Sequence, residues 1–160
     1  MLQKTYEDAY VDESIGLTKE CFAKWVFNTT RTQDYTKSKL IRKKGQKTWL
    51  ALIKKKIVGS ITISEDGKGC ELSAFYVRPG MQGKGIGKVL FLKALDFARG
   101  RDIRLDMYAH SRKTIAIYRG WGFRRDMKRG IFYRHWDEWP EGLKAKCIYM
   151  RRDGKKVFKP

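Results

Sequence analysis

Three glycines stand at alternate positions, Gly83, Gly85 and Gly87, in the run Val77-Arg-Pro-Gly-Met-Gln-Gly-Lys-Gly-Ile-Gly-Lys88. The run joins a strand-like segment to an apolar segment of helical period, so its amides fall at a helix N-terminus. Without Cβ atoms the backbone can approach a ligand closely. The unpaired N–H groups and dipole at such an end favour an anion, and Lys84 and Lys88 add full positive charge. The chemistry this turn serves is the holding of a phosphate or pyrophosphate. The same glycines would also suit a tight strand-to-helix connection with no ligand. The spacing is not GxxxxGK[ST], which disfavours a P-loop, and a strand meander precedes it rather than the opening of a βαβ dinucleotide unit.

The elements that must position the turn are legible on both sides. Gly85 to Arg99 reads as the clearest helix: Ile86, Val89, Leu90, Leu92, Ala94, Leu95, Phe97 and Ala98 leave a narrow polar strip of Lys88, Lys93, Asp96 and Arg99. A helix apolar around most of its circumference is expected to be buried against a sheet, and Gly100 ends it. Upstream, Thr48–Ile53 and Ile57–Ser64 flank the basic turn Lys54–Lys56 as a β-hairpin. Asp66-Gly67 marks a second turn and Cys70–Val77 a third strand, so three antiparallel strands are expected in sequence. The segment Glu7–Asn28 offers a helical stripe (Ile15, Cys21, Phe22, Trp25, Val26) interrupted by Gly16, one long or two short helices. Thr32–Lys44 is a basic helix candidate closed by Gly45. Downstream, Ile103–Tyr108 is a short strand, Ser111–Arg119 a helix with Ser111 as N-cap, Gly122-Phe123 the opening of another strand and Cys147–Met150 the last. The whole reads as one mixed α/β sheet in a single domain spanning residues 1–160.

Composition narrows the class. A chain of 160 residues with 42% hydrophobic residues suits one real core. No stretch nears the roughly 20 apolar residues a membrane span needs, and Met1–Tyr10 lacks a secretory-signal pattern, so a soluble cytoplasmic protein with no membrane partner is expected. Cys21, Cys70 and Cys147 are few and far apart, which argues for buried thiols rather than disulfides. With only His110 and His135 beside them, no metal is expected. The charge is the unusual number: 36 Lys and Arg against 17 Asp and Glu give +19. Residues 1–80 hold 15 against 9, or +6, and residues 81–160 hold 21 against 8, or +13. Such a field attracts polyanions, although excess lysine also serves solubility alone.

Gln82-Gly-Lys-Gly-Ile-Gly87 resembles the Q/R-x-x-G-x-G/A signature of the GCN5-related N-acetyltransferase (GNAT) superfamily. Ser111-Arg-Lys-Thr-Ile-Ala-Ile-Tyr-Arg-Gly-Trp-Gly-Phe123 resembles its second signature, a helix carrying a Tyr before a Gly-Phe strand start. The order and separation of the two fit as well. The resemblance covers residues 48–123 well, the N-terminal helices loosely and residues 124–160 in outline. It implies an α/β (α+β) fold with a mostly antiparallel central sheet, flanking helices and a V-shaped splay between two parallel strands. It also implies an acyltransferase using acetyl-CoA as co-substrate. Backbone groups of Phe75, Tyr76 and Val77 would pair with the pantetheine arm; Gln82, Gly83, Lys84, Gly85, Ile86, Gly87, Lys88 and Ser111 complete the implied cofactor set.

The resemblance further implies roles in proton transfer. Tyr118 takes the position of the family's helix Tyr, a general acid able to protonate the leaving thiolate; an aromatic packed under the sheet is the alternative. Glu71 takes the position of the general base in several protein-acetylating members, though a salt bridge to one of many lysines would account for it as well. Ile131–Pro140 reads as a loop where the family forms an acceptor wall, with Tyr133, His135, Trp136 and Trp139 able to stack on a substrate or to cap the core. The expected activity is transfer of an acetyl group to a primary amine by a monomer or homodimer. Aminoacyl-tRNA as acceptor, and a non-catalytic protein that binds RNA or another polyanion on this fold, stand as alternatives.

Overall fold

The computed structural model describes residues 8–21, 37–40, 43–135 and 139–159. In chain order its elements are α1 (Asp8–Cys21), α2 (37–40), β1 (Gln46–Ile53), β2 (Lys56–Glu65), β3 (Cys70–Val77), a 3-10 turn (Pro79–Met81), α3 (Ile86–Ala98), β4 (Ile103–Tyr108), α4 (Arg112–Gly120), β5 (Arg124–Arg125), β6 (Ile131–Arg134) and β7 (Ala145–Arg152). The seven strands pair in the order β1-β2-β3-β4-β7-β5, with β6 also on β7. This is the expected mixed, mostly antiparallel sheet. The chain divides into two compact units, residues 1–65 with 72–97, and residues 66–71 with 98–160.

In the first unit the hairpin is tighter than its basic run suggests. Ile53 pairs with Lys56, so Lys54 and Lys55 alone make the turn, at φ 47° and 66°. Two successive left-handed residues are what a two-residue hairpin of the favoured hand requires, a geometry usually given to Asn and Gly. The β-branched residues of β2 suit a strand covered on both faces: Ile57, Ile61, Thr62 and Ile63 are wholly buried. Leu17 of α1 packs with Leu50 and Ile57, and Glu13 accepts from the Ile57 amide at 3.0 Å. Burial of such a Leu or Ile contributes about 1.5–3 kcal/mol. Gly59 is required by close approach: a Cβ there would lie 3.0 Å from Leu90 Cδ1, 3.1 Å from Tyr76 O and 3.2 Å from Ile86 Cγ2.

Helix α3 buries Leu90, Phe91, Ala94 and Ala98, while Val89 and Leu92 stay 50% and 43% exposed. Its buried face is therefore narrower than its apolar composition suggests. Helix α1 continues through Gly16, which the sequence reading took as an interruption. The remainder of the expected N-terminal stripe, from Phe22 onward, lies outside the described residues.

In the second unit β4 and β7 pair antiparallel over six residues, and β4 pairs parallel with β3 only at Cys70↔Ile103 and Glu71↔Arg104. Ile103, Leu105, Phe123, Ile148 and Met150 are buried here. Two departures stand out. Residues 131–134, expected as loop, form β6 on the edge of β7 because Ile131, Phe132 and Tyr133 alternate faces as a strand must. Ser111 does precede α4, yet its hydroxyl makes no capping hydrogen bond, its φ/ψ of −77° and 61° lying outside the extended region typical of a cap.

Candidate active site

The chain leaves β3 through Arg78, whose guanidinium fixes the exit. Its Nε and a terminal nitrogen donate to Ile57 O at 3.3 and 3.1 Å, its amide donates to Val58 O at 2.9 Å, and it ion-pairs with Glu20 of α1. Then Met81 N donates to Arg78 O and Gln82 N to Pro79 O, closing the 3-10 turn. Gln82 Nε2 reaches back to Val77 O at 3.0 Å. Gly83 and Gly85 follow at φ +76° and +80°, a region that disfavours any side chain. A Cβ at either would meet no heavy atom within 4 Å, so open space lies on that side of the backbone. Gly85 O accepts the first bond of α3, from Val89 N at 3.0 Å. Among the described residues the amides from Gly83 to Lys88 have no acceptor outside the helix. Gly87, the third glycine of the pattern, lies within α3.

This arrangement has the features that an anion requires: left-handed glycines, open space beside them, amides with no acceptor among the described residues and two exposed lysines. Its donors and its room fit a pyrophosphate. Phe75, Tyr76 and Val77, half-buried at the end of β3, lead into it. Ala74 just before them is left-handed at φ 48°, and its carbonyl accepts from Ser60 Oγ at 3.1 Å rather than keeping regular strand geometry. The sequence reading missed this kink, since an alanine gives no signal for it. It also assigned nothing to Arg78, although an Arg between a strand and Pro79 was there to notice.

The other candidates belong to the second unit. Tyr118 is buried, its ring edge-on to Trp121 at 6.1 Å and Phe123 at 5.2 Å. Glu71 is exposed and stands opposite Arg104 in the strand register. Arg104 itself pairs with Asp66, and among the described residues Glu71 forms no salt bridge, so the lysine partner weighed for it is not found there. Ser111 is half-buried and its amide donates to Tyr108 O. Tyr133 is exposed on β6; His135 is exposed, its Nδ1 2.7 Å from Leu143 O. Trp139 is buried with its ring edge-on to His135, which makes it core rather than wall. Trp136 lies outside the described residues. His110 stacks on Tyr108 at 5.5 Å. All three cysteines are free thiols, and among the described residues no three His, Cys, Asp or Glu side chains are grouped to hold a metal ion.

Residues 6–123 match the acetyltransferase (GNAT) family model, and the chain belongs to that family. It is 39% identical over 64 residues to the N-alpha-acetyltransferase RimI of Mycobacterium tuberculosis (strain ATCC 25618 / H37Rv), a match covering 40% of this chain and 40% of that one. The matched stretch thus spans well under half the length of this curated relative. The ribosomal-protein-S18-alanine N-acetyltransferase of Escherichia coli superposes with a TM-score of 0.73 at 15% identity, over 98% of this chain and 95% of that one. The PaiA N-acetyltransferase of Thermoplasma acidophilum, solved with coenzyme A, gives 0.68 at 16% identity over 94% and 96%. At these identities the superpositions carry the fold.

Proposed function

We propose that residues 1–160 act as one N-acetyltransferase domain that moves an acetyl group from acetyl-CoA directly to a primary amine of a peptide or protein. The observation that carries the reading is the turn from Gln82 to Lys88: two left-handed glycines open to space, with unpaired amides at the start of α3. Family membership names the anion this turn would hold, the pyrophosphate of coenzyme A. Backbone groups of Phe75, Tyr76 and Val77 pair with the pantetheine arm, one amide facing the oxyanion, and Ser111 contributes from the start of α4.

In the transfer, Glu71 accepts a proton from the ammonium of the acceptor, directly or through water, leaving a lone pair on nitrogen. The amine forms a C–N bond to the thioester carbonyl. The C–S bond then breaks, Tyr118 delivers a proton to the departing thiolate, and the phenolate regains one from the nitrogen of the new amide, directly or through water. A phenol of ordinary pKa near 10 is a competent donor at neutral pH. Tyr133, His135 and Trp136 are assigned to the acceptor side. A peptide or protein amine is favoured over a small amine because the matched relative is named as an N-alpha-acetyltransferase.

A cytoplasmic setting and a monomer or homodimer complete the proposal; the free thiols suit a reducing compartment, and no described helix is long and apolar enough to cross a membrane. The test is release of coenzyme A from acetyl-CoA across a panel of N-terminal peptides, lysine peptides and small amines. Turnover with an N-terminal peptide is the expected result. Acetyl-CoA binding by calorimetry without turnover on any amine would sink the catalytic reading and leave the cofactor site standing.

A further inference from the structure

The strand registers of the second unit align three arginines. Arg104 of β4 stands opposite Arg151 of β7, and Arg151 stands opposite Arg124 of β5. Residues directly opposite share a sheet face, while the neighbours of Arg151 along β7, Met150 and Arg152, are buried on the other side. Like charges directly opposite one another are destabilising. Arg104 is answered by Asp66 and Arg151 by Asp102. Among the described residues Arg124 has carbonyl partners alone, Phe123 O at 2.8 Å and Arg119 O at 3.2 Å.

The same edge continues basic. Arg125 stands opposite Met150 and so projects from the other face of this edge strand; it, Arg119, Lys128 and Arg129 are exposed and form no ion pair among the described residues. The carboxylate of that stretch, Asp126, accepts from the amides of Lys128 and Arg129 instead. Rings interleave with the cations: the Arg129 guanidinium lies 3.8 Å from the centre of the Tyr149 ring, and Tyr149 packs at 4.9 Å on Phe132. By residue count the unit holds 19 Lys and Arg against 9 Asp and Glu, or +10.

We propose that this edge, with Arg119, Arg124, Arg125, Lys128 and Arg129 at its centre, binds the phosphate backbone of single-stranded RNA. A row of guanidinium forks matches phosphate oxygens bidentately, which lysine-rich solubility charge does not. The Tyr149 ring is taken up by Arg129 and Phe132, and the exposed Arg129 guanidinium over it offers a plane on which an unpaired base can stack. A single strand leaves its bases free to stack in this way, and a duplex does not. None of these residues belongs to the acetyl-CoA turn, so the two bindings are separately testable.

The experiment is binding of the full chain to a labelled single-stranded RNA, about 20 nucleotides long to span more than one site size, across a salt series. The expected dissociation constant near physiological salt is tighter than about 10⁻⁴ M, with a log–log salt slope of several units. The double variant Arg124→Glu/Arg125→Glu should weaken binding at least tenfold and reduce the slope by about 1.4, roughly 0.7 for each lost contact to a single strand. Its acetyl-CoA affinity should not change, which also shows that it folds. Lys43→Glu/Lys44→Glu makes the same charge change on exposed residues of the first unit and should keep the slope. Three results overturn the proposal: no RNA affinity in that range, equal weakening by both double variants, or competition by polyglutamate as effective as by RNA.

Discussion

The Sγ of Cys21, the last residue of α1, donates to the carbonyl oxygen of Val77, the last residue of β3, at 3.4 Å. Gln82 Nε2 donates to the same oxygen at 3.0 Å, and the neighbours of the first pair, Glu20 and Arg78, form the ion pair beside it. The end of α1 and the glycine turn are thereby both fixed to the end of β3. Burial pushes the thiol from its ordinary 9.0 up to about 11, Glu20 adding to the rise while Arg78 and the Val77 carbonyl oppose it.

A raised pKa means the folded chain keeps the Cys21 proton where the unfolded chain has lost it. The contribution to stability is complete below about pH 9 and fades as pH rises through 11. Denaturant unfolding of the native chain and of Cys21→Ala across pH 8 to 11, on the order of one midpoint per half unit, checks this. Their difference in stability should be level below pH 9 and shrink above it. A difference that stays level to pH 11 would show that this thiol is not what titrates.

Gly85→Val should weaken acetyl-CoA binding far more than Lys84→Ala. At φ +80° a side chain strains the backbone by roughly 1–2 kcal/mol and fills the open space a pyrophosphate would occupy. Lys84 is exposed, its Nζ 3.8 Å from the sulfur of Met81 and in no ion pair among the described residues, so its loss removes one screened charge. Calorimetry on both variants decides; equal and small losses would place the phosphates elsewhere.

The glycine turn was legible because its chemistry is local: residue type, spacing and helix onset lie in one short run. Strand β4 and helix α3 were legible for the same reason, period and breakers coinciding within a residue of Ile103–Tyr108 and Ile86–Ala98. Strand β6 was not, because four residues rich in aromatics read equally as loop, and only β7 across from them settles the matter. The left-handed Ala74 and the Arg78 clamp depend on Ser60, Ile57 and Glu20, distant in sequence, which no local pattern reports. Trp139 was left open between stacking on a substrate and capping the core, because its residue type suits both, and its burial in the fold favours the second.

Tyr118→Phe should lower kcat by about 10²- to 10⁴-fold, the usual range for a general acid, with little change in acetyl-CoA affinity. The ring contacts with Trp121 and Phe123 survive that change. Glu71→Gln should likewise lower kcat/KM while leaving the melting temperature unchanged, since Glu71 is exposed and unpaired among the described residues. A Tyr118→Phe enzyme keeping more than about half its rate, with chemistry limiting, would make Tyr118 a packing residue, because general-acid losses are far larger.

Gly154→Ala should be among the most destabilising small substitutions in the second unit. A Cβ there would stand 2.0 Å from Gly100 O and 2.4 Å from Arg101 C, both backbone atoms that no rotamer change can move. The Gly154 amide also donates to Asp102 Oδ1 at 2.9 Å, the first cause of that carboxyl being held below its usual range. Beside it, buried Arg152 donates to Trp121 O at 3.0 Å and to Lys156 O, which binds residues 153–156 to the strand end. Relief of the clash must shift this backbone and loosen these bonds together. Overpacking of this kind costs about 1–3 kcal/mol and sometimes more, or roughly 2–12 °C of melting temperature at 2–4 °C per kcal/mol. Gly130→Ala is the matched comparison: its φ is +70° but a Cβ there meets nothing within 4 Å. It should cost only the left-handed strain, about 1 kcal/mol. Melting curves of the two variants side by side test the assignment, and equal shifts would mean that the Gly100–Gly154 approach is not a fixed feature of the fold.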